Sequence, residues 1–491
     1  MKPTIDMQVS PHDRNPAPVP AAPLTQLGYK PKERWVASRF NARTVGEDGR
    51  LILWNTLSGA ISIFEAKDCE RILACLTPEG VRVPLTRAAE YLSKRGYLVR
   101  DSVDELNQFR YFYGQQQWKS DALQWILLAS EDCNFRCVYC YEKFKNGTML
   151  PEVRQGVRAF TLRRAPLLRE LTISWFGGEP LYGWAAVEEL APFFKDVADR
   201  HGLMHNQHMT TNAYLLTEER ATKLLEWGCT NYQITIDGLP EEHNCKRVGR
   251  DGSPTYDTIL DNLRSMHQRK AADFAIDIRV NFDRDNFPRL GRFLESLSED
   301  FSGDPRFRLR FRPVGQWGGD RDDELNVCGT IEHRDVTKQL RQHADELGLG
   351  LERGIRDVAG LGSQVCYAAR PYNFVVGATG KLMKCTVALD EVEDNVVGQI
   401  HPDGSMDLIH ERMSKWVGPH FETDQLCQHC HMLPGCQGVT CPLTRVVEGR
   451  RTCSSFKGEL KTEMRYTLEE AVRARATRAA VQASEPVLAG V

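Results

Sequence analysis

The chain has no apolar run of the 18 or so residues that a membrane-spanning helix needs, and no signal-peptide core at its start. A helical membrane protein is thereby excluded, and a soluble, cytoplasmic protein is expected. Neither sign of charge is in excess: 63 Lys and Arg face 66 Asp and Glu, a net charge of −3, with a pI near 6.5. That balance leaves no basic footprint for nucleic acid, so neither nucleic acid nor membrane is expected as a partner. Disulfides are also not expected, because they are rare in the cytosol. The chain nevertheless carries 15 cysteines in 491 residues, which argues for metal or cluster ligation. Its length corresponds to two to four domains.

The densest chemistry is a C-x3-C-x2-C run, Cys133-Asn-Phe-Arg-Cys137-Val-Tyr-Cys140. A [4Fe–4S] cubane ordinarily takes four thiolates; three leave one iron open to another ligand. Zinc or a disulfide framework could use the same spacing. Context decides between them. The triad follows a strand-like run, Leu123 to Ala129, and the next such run, Leu171 to Phe176, ends in Gly177-Gly178-Glu179-Pro180. Alone, that tetrapeptide would read as a turn. Both motifs, in this order and after strands, resemble the radical S-adenosylmethionine (SAM) enzymes. The resemblance implies that the open iron chelates the amino and carboxylate groups of SAM. It also makes Gly177, Gly178, Glu179 and Pro180 the cradle of the methionine ammonium. Glycines let backbone approach a ligand closely, and Glu179 offers a carboxylate to a cation.

Residues 1–30 are rich in Pro and Ala without periodicity and read as a disordered tail. Residues 31–117 read as a small winged-helix-like domain. A hairpin is expected over Leu51–Trp54 and Ala60–Phe64, helices near Ala66–Leu76 and Thr86–Arg95, and a strand at Tyr97–Val99. Ser102 with Glu105 is a capping-box signature for a further helix. Such a domain could simply cover one end of the core, or dock a leader peptide on a strand edge. Over 121–313, strand-like and helix-like runs alternate about six times, which predicts α/β architecture with a parallel sheet. Further strands are expected at Gln207–Thr211, Tyr232–Ile236, Ala275–Phe282 and Phe307–Phe311, with helices at Thr217–Trp227 and Thr255–His267 among those between them. Six such units match the partial (β/α)6 TIM-like barrel of the radical SAM family, with chemistry at the C-terminal strand ends. Residues 314–457 lose periodicity and gain cysteines. Residues 458–491 form a C-terminal helix and tail, with a stripe of Leu460, Met464, Leu468 and Val472.

The late cysteines are laid out as Cys366-x13-Gly380-x4-Cys385, then Cys427-x2-Cys430-x5-Cys436-x4-Cys441, then Cys453. This resembles the SPASM domain, a cysteine-rich C-terminal iron–sulfur domain that carries two auxiliary [4Fe–4S] clusters. The gap from Cys436 to Cys441 is one residue longer than the SPASM pattern. By position, Cys366, Cys385 and Cys441 would hold the inner cluster, with Cys328 or substrate as a fourth ligand. Cys427, Cys430, Cys436 and Cys453 would hold the outer one. Zinc at Cys427-x2-Cys430 is the alternative. Cys69, Cys75, Cys229 and Cys245 default to buried, inert thiols.

Further SAM contacts follow from the same resemblance. Thr211-Asn212-Ala213 is similar to the family's Thr-Asn-Gly turn, and Gln233-Ile-Thr-Ile-Asp237-Gly238 to its fourth-strand motif. Arg279 and Asn281 share a face of the fifth strand, where Arg279 could pair with the SAM carboxylate, and Tyr139 would flank the adenine. Ordinary readings stand beside these: a turn asparagine, a capping aspartate, a solvated arginine and a packing tyrosine. No general base can be picked among Asp237, His243 and Asp283. The whole resembles a radical SAM/SPASM peptide maturase. That implies reductive cleavage of SAM to a 5′-deoxyadenosyl radical and hydrogen abstraction from a ribosomally made peptide or protein. The outcome would be a thioether, carbon–carbon or carbon–oxygen crosslink, with flavodoxin or ferredoxin as electron donor. Three alternatives remain: formylglycine-type oxidation in a sulfatase-like target, dehydrogenation of a small molecule, and a non-catalytic iron–sulfur scaffold.

Overall fold

Parallel strands need long crossovers, usually helical, and the alternation in residues 121–313 supplies them. A computed structural model describes residues 33–352, 359–389, 391–454, 457–458, 460–469 and 472, and the backbone of Ile5–Met7. Six strands, β1 (Ala122–Ser130), β2 (Glu170–Gly177), β3 (Met204–Thr211), β4 (Cys229–Thr235), β5 (Ala275–Phe282) and β6 (Phe307–Pro313), lie side by side in chain order. All five pairings are parallel. Helices Pro151–Arg164, Trp184–His201, Glu218–Glu226, Tyr256–Gln268 and Leu290–Phe301 connect them. Side chains alternate as a half-covered sheet requires. Phe307, Leu309 and Phe311 are buried, and Phe307 stacks on helical Phe301 with ring centroids 4.5 Å apart. Arg308, Arg310 and Arg312 occupy the other face, half-buried.

The sheet runs beyond the six expected strands. Gly350–Leu351 pairs with β6, and Asn373–Val376 pairs parallel with β1. Lys381–Met383, Val396–Ile400 and Met406–Leu408 then extend it by antiparallel pairing. These strands have two to five residues, too few for an alternation to stand out. Helix Thr330–Glu346 was also hidden, because Val336, Leu340 and Ala344 are its only buried residues.

The chain divides into two compact units. One contains 119–352 and 370–416 and holds the large sheet; the other contains the described parts of 1–118, 353–369 and 417–491. The stretch 314–457, expected as one domain, is therefore shared between them. In the second unit, Leu51–Asn55 and Ile61–Phe64 form the expected hairpin, extended by Asn41–Val45 on one side. Ile5–Met7, expected in a disordered tail, pairs antiparallel with Ile61–Ile63 on the other; the rest of that tail lies outside the described residues. A separate small sheet joins Val81–Arg82, Arg34–Ala37 and Leu98–Arg100. One core packs Trp35, Leu51, Leu53, Ile72, Leu92 and Tyr97. The opposite hairpin face, Ile52, Trp54, Ile61 and Ile63, meets Met432, Leu460, Met464 and Leu468, so the C-terminal stripe is a packing stripe. Helix Glu105–Gln117 starts differently from expectation. Asp104 is its cap, accepting from the Leu106 and Asn107 amides (both 3.0 Å). Glu105 turns inward to Ser38 Oγ and the Arg39 amide.

Candidate functional site

The cysteine triad sits in the loop after β1, at the C-terminal end of the parallel strands. Cys133 is buried, Cys137 and Cys140 half-buried, and the three are close enough to affect one another's ionisation. Burial pushes the Cys133 thiol up, with the nearby Glu179 carboxylate adding to it. Burial likewise pushes Cys140 up to about 12. Protein alone therefore keeps these thiols protonated, and ligation must displace the protons. The loop also offers sulfur-directed donors: the Phe135 amide lies 3.3 Å from Cys133 Sγ, and Asn212 Nδ2 lies 3.8 Å from it.

Gly177 and Gly178 serve packing in the protein itself. Gly177 has φ +117°, and a Cβ there would lie 2.1 Å from the Ser130 carbonyl oxygen. A Cβ on Gly178 would meet the Asp132 carbonyl at 2.6 Å and Cys133 Cβ at 3.1 Å. The two glycines let the turn after β2 press against the cysteine loop. Glu179 is fully buried and held by three donors. Oε1 accepts from the Leu181 amide (2.9 Å) and Thr211 Oγ1 (2.7 Å), and Oε2 from the Asn212 amide (2.7 Å). Burial raises its pKa, against the pull of those donors. Buried Pro180 opens the short helix Pro180–Gly183 that follows. Ala213 takes a left-handed φ of +59°, which explains why glycine would suit that turn. Thr211 Oγ1 accepts from its amide (3.0 Å) and Asn262 Nδ2 donates to its carbonyl (2.8 Å).

A second network lies on the other side of the loop. The Tyr139 hydroxyl donates to Asp237 Oδ2 and accepts from Arg247 Nη1 (2.9 Å) and Asn281 Nδ2 (3.2 Å). Asp237 Oδ1 accepts from the Asn281 amide (2.9 Å), and Arg279 Nε donates to Asn281 Oδ1 (2.8 Å). The structure thus gathers Tyr139, Asp237, Arg279 and Asn281 beside the triad, joined by Arg247, which carries no sequence motif. Burial opposes the Arg247 charge, but Tyr139, Cys137 and Asp237 hold it protonated.

None of the candidate bases stands free. Asp237 is fully buried in its network. His243 is fully buried, accepting from the Asp237 amide at Nδ1 (3.3 Å) and meeting Thr255 Oγ1 at Nε2 (3.2 Å). Asp283 is ion-paired with Lys246. Sequence reasoning passed over Glu142, which burial and repulsion from Glu131 push up to about 8.

Among the late cysteines, Cys427, Cys430, Cys436 and Cys453 line one small cavity. Arg445 Nη2 lies 3.5 Å from Cys427 Sγ, and Arg445 and Arg451 both pair with Asp424 (2.9 and 2.8 Å). The Cys366 amide donates to the Val439 carbonyl (3.2 Å). Cys385 belongs to the unit with the large sheet, pinned by Asn395 Oδ1 to its amide (2.8 Å). Cys328 lies in that unit too, near Arg284 and Glu332. Among the described residues, no three His, Cys, Asp or Glu side chains are grouped as a single metal ion would hold them. A cluster spreads its thiolates over several irons, and the shared four-cysteine cavity is the arrangement relevant to it. Cys69, Cys75 and Cys229 are partly or fully buried as expected; Cys245 is exposed.

Residues 127–294 match the Radical SAM superfamily. The radical SAM cyclopropyl synthase TigE of Paramaledivibacter caminithermalis is 22% identical over 43% of this chain and 46% of its own length. The PqqA peptide cyclase of Bradyrhizobium diazoefficiens is 23% identical over 54% of this chain and 66% of its own. The chain thus spans less than two thirds of these curated relatives. The solved structure of native anSMEcpe with bound AdoMet and Cp18Cys peptide shares the fold, with a TM-score of 0.52 and 16% identity. It covers 72% of this chain and 99% of anSMEcpe. No helix among the described residues is long and apolar enough to cross a membrane.

Proposed function

From a chain that carries a radical SAM domain, we propose a peptide maturase. It would cleave SAM reductively, abstract hydrogen from a residue of a ribosomally made peptide or protein, and leave a thioether, carbon–carbon or carbon–oxygen crosslink. The observation that carries this reading is the placement of Cys133, Cys137 and Cys140 between the Glu179–Thr211–Asn212 clamp and the Tyr139–Asp237–Asn281 network. Those three thiols would hold a [4Fe–4S] cluster, which would supply the electron transfer to SAM.

The chain's residues do the positioning. Glu179 fixes the Asn212 turn against the cysteine loop, and its Oε2, which accepts from the Asn212 amide, would also accept from the methionine ammonium. Arg279, whose Nε donates to the Asn281 amide oxygen (2.8 Å), would offer its Nη donors to the SAM carboxylate. Tyr139 is held by its hydroxyl, so its ring is fixed for contact with the adenine. Cys427, Cys430, Cys436 and Cys453 would hold an outer auxiliary cluster. A peptide substrate fits the match to a relative named as a peptide cyclase. It also fits Asn41–Val45, the outer strand of its sheet among the described residues, where an extended leader could pair. Flavodoxin or ferredoxin would deliver the electron in the cytoplasm.

The experiment is anaerobic reconstitution with iron and sulfide, then dithionite and SAM, with 5′-deoxyadenosine as the product measured. Wild type is expected to form it, and the variant carrying Cys133→Ala, Cys137→Ala and Cys140→Ala to form none. Equal formation by both would sink the proposal.

A further inference from the structure

Four arginines share the sheet face on which the cysteine loop docks. Register sets Arg308, Arg310 and Arg312 of β6 beside Asp277, Arg279 and Asn281 of β5. Asn281 on that face reaches the Tyr139 hydroxyl of the loop (3.2 Å). Two carboxylates serve three of the four guanidiniums. Asp277 takes Arg308 (2.8 Å) and Arg310 (3.4 Å). Glu352 takes Arg310 (2.7 Å) and Arg312 (3.0 Å). Arg279 has no carboxylate within ion-pair distance among the described residues; burial lowers its pKa and the like charge of Arg312 adds to that, while Tyr139 and the more distant Asp237 work against it.

The positive excess is therefore built in. The proposed SAM carboxylate answers Arg279 alone and leaves three guanidiniums to two carboxylates along β6. Arg308, Arg310 and Arg312 keep 30%, 33% and 40% of their side-chain surface exposed, so their outer donors are open to a ligand. An arriving substrate would strip water from this face, and a guanidinium deprived of water needs an anion. Arg meets carboxylates with two parallel donors and so fixes their orientation.

We propose that Arg308, Arg310 and Arg312 form a carboxylate-binding track for the peptide substrate, taking an Asp or Glu side chain close to the residue that is modified. The inference rests on the peptide reading above and narrows its substrate class to acidic peptides.

The test uses the reconstituted full chain with saturating SAM and four pools of short peptides, randomised around one fixed position. One pool fixes Asp or Glu and is capped at both ends; one fixes Asn or Gln and one fixes Lys, with the same caps; one fixes Asn or Gln with a free C-terminal carboxylate. Retention is read by equilibrium dialysis and mass spectrometry. The acidic capped pool should be retained about tenfold over its amide counterpart, the scale of one charge-assisted pair. Arg310→Gln with Arg312→Gln should abolish that preference, and Arg312→Glu should transfer it to a pool fixing Lys. The charge reversal separates loss of the track from loss of the fold, which would bind nothing. Equal retention of the acidic and amide capped pools, retention of neither, or preference for the free C-terminus alone would overturn the assignment. If wild type cleaves SAM yet fails to discriminate, only this inference fails; absence of cleavage would fail the proposed function instead.

Discussion

At the scale of single residues, buried polar groups decide most. Glu179 satisfies three donors from a fully buried position. Glu179→Ala should lower unfolding free energy by about 3 kcal/mol, because several donors lose their acceptor, which urea denaturation would measure. Gly178→Ala should drive the cysteine loop away from the turn and cost about 1–3 kcal/mol as overpacking. Its signature would be reduced iron uptake in protein that still folds. His243 is neutral in the fold, because burial holds it well below its ordinary pKa, and His208 is pushed down by burial to about 4. Unfolding restores their affinity for protons below about pH 6.5. The unfolded chain then binds more protons than the folded one, so stability rises with pH and is lost on acidification, by up to about 1.4 kcal/mol per pH unit for each group. The raised Glu142 and Glu179 carboxylates act in the opposite sense in wild type and variant alike, so the test is the difference: His208→Gln should lose less urea stability than wild type between about pH 7 and pH 5, and an identical pH dependence would contradict this. The motif residues were legible in the sequence because their spacing is local. Arg247 was not, since its partners Tyr139 and Cys137 lie about a hundred positions earlier and meet it only through the sheet.

At the scale of elements, β1 to β6 were legible because each is a run of seven to nine residues, long enough for its pattern to stand out between helices of similar regularity. The strands after residue 370 were not, because at three to five residues their pairing depends on neighbours distant in sequence. Capping shows the same limit. Ser102 with Glu105 matched a capping box, but Asp104 is the residue whose oxygen meets the helix amides, while Glu105 is drawn into the interior by Ser38 and Arg39. Asp104→Ala should therefore cost about 1 kcal/mol and Ser102→Ala almost nothing, compared by thermal denaturation. Equal losses would restore the capping-box reading.

For the whole molecule, composition and cysteine spacing point to iron–sulfur chemistry, and two groups of cysteines are its proposed sites. The triad lies at the end of β1, and the four cysteines 427, 430, 436 and 453 line their own cavity. Replacing either set with alanine should remove about four irons from reconstituted protein, and loss from one site should leave the other filled.

The most direct measurement is the electron paramagnetic resonance spectrum of the dithionite-reduced protein with and without SAM. The account predicts a SAM-dependent change of the cluster signal in wild type. That change should persist when Cys427 and Cys430 are replaced by alanine, and vanish when Cys133, Cys137 and Cys140 are. A signal from the Cys133–Cys140 site that is indifferent to SAM would mean that no iron there is open to it, and would contradict the central claim.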